Sequence, residues 1–308
     1  NYNCIGTILQ TFSAETHGAE TNMGSTSKRS AACGPHIFSA GVRFGNVWYF
    51  TKWRQYIIIY LMKAFLYLTL LPALLPVFLV FRHVYKHDKI EPEPIGFVLK
   101  VMLYGALFAL PCGFIEGILV GRIASIWSEN TIEFAFYENF FGVALVEELS
   151  KLLAFRVLVW KNDNFNFRYD GIVYAVAASL GFAALENICY VMRFGTEVSI
   201  GRAIFSIPGH AAFGIFMGYY LSRAKNCALK HNYFGLVFFM IFAIAVPVAI
   251  HGAYDFLLSE PARDADYARY FLVFVIILDI LAWRKIKHEF RTDRRLGPKP
   301  EPMHYDQA

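Results

Sequence analysis

The chain has 308 residues, of which 56% are apolar, 17% aromatic and only 17% charged, and its mean hydropathy is +0.41. Soluble globular chains are about 45–50% apolar and about 25% charged, so these values exclude an ordinary soluble domain. The formal charge of +5 does not indicate a nucleic-acid partner, because Lys and Arg gather at the ends of apolar runs.

Residues 1–54 are polar, rich in Ser, Thr, Gly and Asn, and without a sustained period. Together with the stretch up to residue 61 they read as a disordered or extraneous extension that precedes a membrane domain over 62–290. Met62-Lys63 followed by Ala64–Phe81 lacks a small-residue cleavage site and predicts a retained first helix, with Pro72 and Pro76 as kinks. Further spans are expected near 95–119, 139–159, 171–192, 203–222, 235–257 and 268–284, each near the ~20 residues that cross a hydrocarbon core. The fold class is therefore all-α, a polytopic bundle of about seven transmembrane helices. A basic tail over 291–308 closes the chain. Basic residues fill the 82–94 loop and the loops after the third and fifth spans, whereas 122–138 and 259–267 are mainly acidic. The positive-inside rule then places the protein in the cell membrane with the N-terminus outside and the basic tail cytoplasmic; the short 193–202 turn is ambiguous. The five cysteines (Cys4, Cys33, Cys112, Cys189, Cys227) are odd in number and lack CxxC spacing, which suggests neither a disulfide framework nor a thiolate zinc site.

Ionisable and amide groups interrupt the spans at Glu147, Glu148, Lys151, Glu186, Asn187, His210, His251 and Asp255. Such groups are expensive in a bilayer and rarely face lipid. At about 1.5 Å rise per residue, Glu186, His210 and His251 fall about 9–11 Å below the outer ends of their spans, and Glu148 about 14 Å. Four helices of alternating direction thus bring polar groups to one layer in the outer half of the membrane. Lys151 reaches Glu148 at i,i+3 and Glu147 at i,i+4, so it can neutralise one carboxylate and leave the other as a base for water. Glu148 is the slightly favoured base, with Glu147 paired to Lys151; a purely structural ion pair is the bland alternative. Asn187 can donate to an oxyanion. Glu186, His210 and His251 form a workable metal set, with Asp255 orienting His251. A divalent metal, zinc first among candidates, or direct glutamate catalysis without one, both fit. Glu116 is a weaker candidate. No HExxH is present, nor a paired set of intramembrane aspartates, and Ser150 and Lys151 are adjacent and make a poor nucleophile–base dyad.

In order along the chain stand Asp88-Lys89-x-Glu91-Pro92-Glu93-Pro94, Glu147-Glu148-x-x-Lys151, Asp170-Gly171-Ile172-Val173-Tyr174, Gly181-Phe182-x-x-x-Glu186-Asn187, Pro208-Gly209-His210-Ala211 and His251-Gly252-x-Tyr254-Asp255. This ordered set resembles the PrsW family of membrane proteases, related to the CAAX-prenyl-protease superfamily, over about residues 62–290. The resemblance implies a multi-pass intramembrane peptidase that makes the first cut in an anti-sigma factor. It also implies that Glu147, Glu148, Glu186 and His210 are essential or nearly so, with His251 and Asn187 lining the site. The implied partners are a single-pass membrane protein substrate and membrane lipid. Where the family pattern suggests more glycine, this chain has Ala175-Val176-Ala177-Ala178-Ser179, a difference of packing. Two other classes of protein are compatible with intramembrane Glu and His. A proton-coupled transporter or channel would carry polar residues along a continuous path and show inverted repeats. A catalytically silent binding or immunity protein of the same fold would be expected to lose some of these residues.

Overall fold

A computed structural model describes residues 46–65, 67, 70–88 and 90–297. Helices α1 (Asn46–Phe65), α2 (Leu71–Tyr85) and α3 (Ile95–Ala124) open the described chain. Next come α4 (Ile132–Tyr137), a π-helical segment Glu138–Ala144 and α5 (Leu145–Leu158), which run on without a break. Then follow α6 (Arg168–Phe194), α7 (Val198–Gly201), a second π-helical segment Arg202–Ser206 and α8 (Ile207–Leu229). The chain continues through α9 (Tyr233–Leu258), α10 (Glu260–Asp264), a 3₁₀ turn and α11 (Phe271–Arg291). Among the described residues there is no strand, only an isolated antiparallel bridge between Phe167 and Arg295.

Local chemistry sets several boundaries. Pro72 and Pro208 sit in the first turns of α2 and α8, where a missing N–H costs nothing. Thr131 caps α4 by accepting from Phe134 N at 3.2 Å, and Asn232 caps α9 by accepting from Gly235 N at 2.9 Å. Asp170 reaches back from the first turn of α6 and accepts from Asn166 N (2.9 Å) and Phe167 N (2.5 Å).

α6 is the central helix, buried along most of its length between α3 and α8. Glycines permit that closeness. A Cβ at Gly181 would collide with the carbonyl of Met102 on α3, and one at Gly218 of α8 with the carbonyl of Gly171 on α6. The outward faces are apolar: Leu99, Leu103 and Phe114 on α3, Phe234 and Phe238 on α9, Val273 and Ile277 on α11 are all exposed. So broad an apolar surface, with the polar groups inside, suits lipid as solvent.

Among the described residues, each expected span overlaps helix. Four stretches of the described residues are long and apolar enough to cross a membrane: Ile95–Ala124, Arg168–Phe194, Val198–Leu229 and Tyr233–Leu258. α2, with 15 residues, and α5, with 14, are shorter. Helix is present from Asn46, within the expected 1–61 extension, whose earlier residues lie outside the described ones. The start of the 291–308 tail is a strap. Leu296 N donates to Asn166 O (2.6 Å), Arg168 N to Arg294 O (3.2 Å) and Tyr169 N to Asp293 Oδ1 (3.0 Å). The tail from Pro298 onward lies outside the described residues.

Candidate active site

The polar residues of four helices meet around one cavity of about 340 Å³. Glu147, Glu186, Arg202, His210, His251 and Asp255 supply its polar lining, and Tyr190, Phe205, Phe213, Tyr254 and Phe271 its aromatic walls. Each of the two π-helical segments leads directly into a helix that carries site residues: Glu138–Ala144 precedes Glu147 and Glu148, and Arg202–Ser206 precedes His210. Such wide turns in otherwise regular helices are frequent at functional sites because they change which face the following residues present.

Lys151 is the hub, completely buried and also over the Phe182 ring at 4.7 Å. Its Nζ donates to Glu148 Oε1 at 2.7 Å and Glu147 Oε2 at 3.1 Å, and lies 3.2 Å from His210 Nδ1. An ammonium has no lone pair, so His210 Nδ1 accepts and the ring proton sits on Nε2. That Nε2 lies 2.9 Å from Glu186 Oε2. Ser179 Oγ donates to the carbonyl of His210 at 2.6 Å and pins α8 to α6 at this level. His251 is held on both sides, Nδ1 by Glu148 Oε1 at 2.8 Å and Nε2 by Asp255 Oδ2 at 3.1 Å, with its ring stacked on Phe213 at 4.6 Å.

Several expected neighbours are therefore brought together: Glu147, Glu148, Lys151, Glu186, His210, His251 and Asp255 form one connected network. The division of labour differs from the one read from spacing. Lys151 binds both glutamates rather than Glu147 alone, and it is nearer to Glu148. Glu148 is the carboxylate buried to 0% exposure and lies behind the cavity wall, whereas Glu147 faces the cavity. Asn187 points away from the expected oxyanion position. Its Nδ2 donates to Ala73 O on α2 at 2.6 Å, and its Oδ1 accepts from Arg202 Nε at 2.7 Å.

One residue escaped the reading of the chain, and another, Glu116, was named only as a weaker candidate. Arg202 lies in the charge-ambiguous turn between spans, yet its Nη2 is 3.0 Å from Glu186 Oε2 and its guanidinium covers the Tyr190 ring at 4.0 Å. The signal was an arginine immediately before the span that already carried His210. Glu116 of α3, set aside as peripheral, is buried and accepts from Cys112 Sγ at 3.0 Å.

The donor set suits a cation. Glu147, Glu186 and His210 can each place a ligand atom within 4.8 Å of the others, and so can Glu147, Glu148 and His251. Glu148 Oε2 is buried with no hydrogen-bond partner. Four carboxylates (Glu147, Glu148, Glu186, Asp255) against two permanent cations (Lys151, Arg202) leave two negative charges, to be met by protons on histidine or by a divalent ion. These residues therefore fit a metal.

An apolar helical bundle with a buried carboxylate–imidazole centre open to a cavity has the character of a membrane hydrolase. A family model described as PrsW family intramembrane metalloprotease matches residues 93–281. The chain is 36% identical to Protease PrsW of Geobacillus kaustophilus over 203 residues, covering 66% of this chain and 84% of that protein. It is also 36% identical to Protease PrsW of Oceanobacillus iheyensis over 214 residues (69% and 91%), and 33% identical to that of Bacillus subtilis over 191 residues (62% and 83%). No solved structure matches the chain. The chain belongs to the PrsW family of intramembrane proteases, and it is a peptidase.

Proposed function

We propose that this peptidase hydrolyses a peptide bond of a single-pass membrane protein, of the anti-sigma-factor class, near the outer face of the cell membrane, with Glu147 as general base. The observation that carries this reading is the cavity onto which Glu147, Glu186, His210 and His251 open together. In this reading about seven helices cross the bilayer, the N-terminus lies outside, and the strap of residues 292–297 lies in the cytoplasm, as the loop charges direct.

Glu147 is favoured over Glu148 because a base must reach water and substrate. Glu147 lines the cavity, while Glu148 spends one oxygen on Lys151 and His251 behind it. Lys151 steadies Glu147 and fixes the His210 tautomer, and Asp255 holds His251. Glu186, His210 and one oxygen of Glu147 would hold a divalent ion, leaving the other Glu147 oxygen for water; bound there, such an ion would supply Lewis acidity toward water and carbonyl. Glu147 takes a proton from the attacking water and returns it to the leaving amine. The aromatic walls would accept an unwound apolar segment of substrate.

The test is cleavage of an epitope-tagged single-pass anti-sigma factor by the full chain in proteoliposomes. A released outer fragment with wild type and none with Glu147→Gln supports the proposal. Equal release from both would remove Glu147 from the chemistry.

A further inference from the structure

We propose that Arg202 is a catalytic residue that binds the carbonyl oxygen of the scissile peptide and stabilises the oxyanion formed there. This rests on the peptidase reading above and adds a group that the sequence motifs do not include.

A peptidase site needs a donor aimed at the carbonyl oxygen; the hydroxyls of Tyr190, Ser206 and Tyr254 line this cavity, and its charged, amide and imidazole donors can be taken in turn. The Asn187 amide is taken by the Ala73 carbonyl. Lys151 Nζ has three partners, Glu147, Glu148 and His210. His210 Nε2 faces Glu186, and both ring nitrogens of His251 face carboxylates. Arg202 is different. A guanidinium carries five N–H groups in a rigid plane; Nε is hydrogen-bonded to Asn187 Oδ1 and Nη2 is paired by charge with Glu186. Nη2 is buried and lies 3.0 Å from Glu186 Oε2 without an aligned hydrogen bond. The residue lines the cavity.

Its position is fixed before substrate arrives. Tyr190 lies under the guanidinium plane, Asn187 holds Nε and is itself anchored to α2, and Glu186 balances the charge. A donor held in this way needs no reorganisation when charge develops, which is what makes oxyanion stabilisation effective in a water-poor site. The geometry also places it beside the base. Glu186 Oε2 touches both Arg202 and His210, and the ligand atoms of Glu147, Glu186 and His210 lie within 4.8 Å of one another. A peptide group placed there would set its carbon toward water on Glu147 and its oxygen toward Arg202. As the water oxygen bonds to the carbonyl carbon, its proton passes to Glu147 and the C=O π pair moves onto the oxygen facing Arg202. The oxyanion then collapses, the C–N bond breaks, and the nitrogen takes the proton from Glu147.

The test uses the full chain in proteoliposomes with the tagged anti-sigma factor, comparing wild type, Arg202→Met, Arg202→Lys and Glu147→Gln. Folded fraction is measured by thermal melting in detergent and rates are normalised to it. Arg202→Met should lower kcat by about 10²–10³ with KM changed less than about threefold, the loss typical of one oxyanion donor. Arg202→Lys keeps the charge beside Glu186 but not the planar fork, so kcat should still fall at least about tenfold. It remains decisive if Arg202→Met does not fold. Arg202→Lys at wild-type kcat would mean that the residue only neutralises Glu186, and would overturn the proposal. Cleavage by wild type but not by Glu147→Gln, with both Arg202 variants near wild type, would sink the Arg202 role alone. No cleavage by wild type across a panel of single-pass substrates would take the peptidase reading down with it.

Discussion

Two buried carboxylate clusters stand at opposite ends of the central helix α6, and they are built on opposite principles. Around Glu186, carboxylates alternate with cations: Lys151, Arg202 and the two histidines link Glu147, Glu148, Glu186 and Asp255. At the other end Asp88, Glu93 and Asp170 also come within 4.8 Å of one another, but backbone amides and a phenol serve them instead. Asp88 Oδ2 accepts from Glu93 N at 3.2 Å, Asp170 from two backbone amides, and Glu93 from the Tyr174 hydroxyl. Tyr85 donates to the Glu93 carbonyl at 2.6 Å and ties α2 to the same loop. Burial, with Asp88 and Glu91 adding repulsion, pushes the Glu93 carboxyl up to about 7, and burial pushes Asp88 up to about 6. One cluster balances its carboxylates with cations, whereas the uncompensated one keeps protons and serves as a latch between loop and helix. Carboxylate proximity alone therefore does not mark a catalytic centre; the interleaved cations and the open cavity do.

The sharpest way to break this contrast is to remove the hub cation. Lys151→Met leaves Glu148 fully buried without its strongest partner, and loss of one member of a buried pair typically costs about 3–5 kcal/mol. Chemical denaturation or yield in detergent should register that loss, and Lys151→Met with Glu148→Gln should recover part of it. A Lys151→Met protein as stable as wild type would show that the cluster does not depend on charge compensation.

Next in size is the packing that brings the helices together. Gly181→Ala drives a Cβ into the Met102 carbonyl, a backbone obstacle that cannot rotate away. Overpacking of this kind costs about 1–3 kcal/mol. Gly121→Ala, with nothing within 4 Å, is the control and should be neutral or slightly stabilising. Equal melting temperatures for the two variants would refute the close α3–α6 contact.

The smallest effect concerns the latch and runs opposite to ordinary acid sensitivity. Glu93 is raised from 4.5 to about 7 and Asp88 from 3.8 to about 6, so across that window the folded state holds more protons than the unfolded one. Stability then falls as pH rises from about 4 to about 7. Amide exchange across residues 86–94, corrected for intrinsic rates, should show stronger protection at pH 5 than at pH 8. Glu93→Gln should flatten the difference. Protection that rises with pH would reverse the assignment.

Much of this was legible in the chain because bilayer burial leaves few polar residues to choose among. Similar depth on antiparallel helices was enough to assemble Glu148, Glu186, His210 and His251, which the structure connects directly or through Lys151. Facing was not legible. The rule that i,i+3 and i,i+4 partners meet allows Lys151 to choose Glu147 or Glu148, and the structure has it take both, while the π-helical turn before them brings Glu147 to the cavity. Asn187 looked like an oxyanion donor because nothing in the sequence reveals the Ala73 carbonyl opposite it. Arg202 was hidden in a short turn whose loop charge gave no direction, and the helix from Asn46 was hidden because its apolar start follows a long polar stretch.

The central claim is that Glu147, the cavity-facing carboxylate, does the chemistry while Glu148 holds the site together. The direct measurement is single-turnover cleavage by Glu147→Gln and Glu148→Gln, each normalised to its folded fraction. Glu147→Gln should fold like wild type and lose about 10²–10⁴ in rate, the usual loss for a general base. Glu148→Gln should fold poorly, with its surviving folded fraction cleaving faster than Glu147→Gln. A stable, inactive Glu148→Gln beside an unstable, active Glu147→Gln would contradict the assignment.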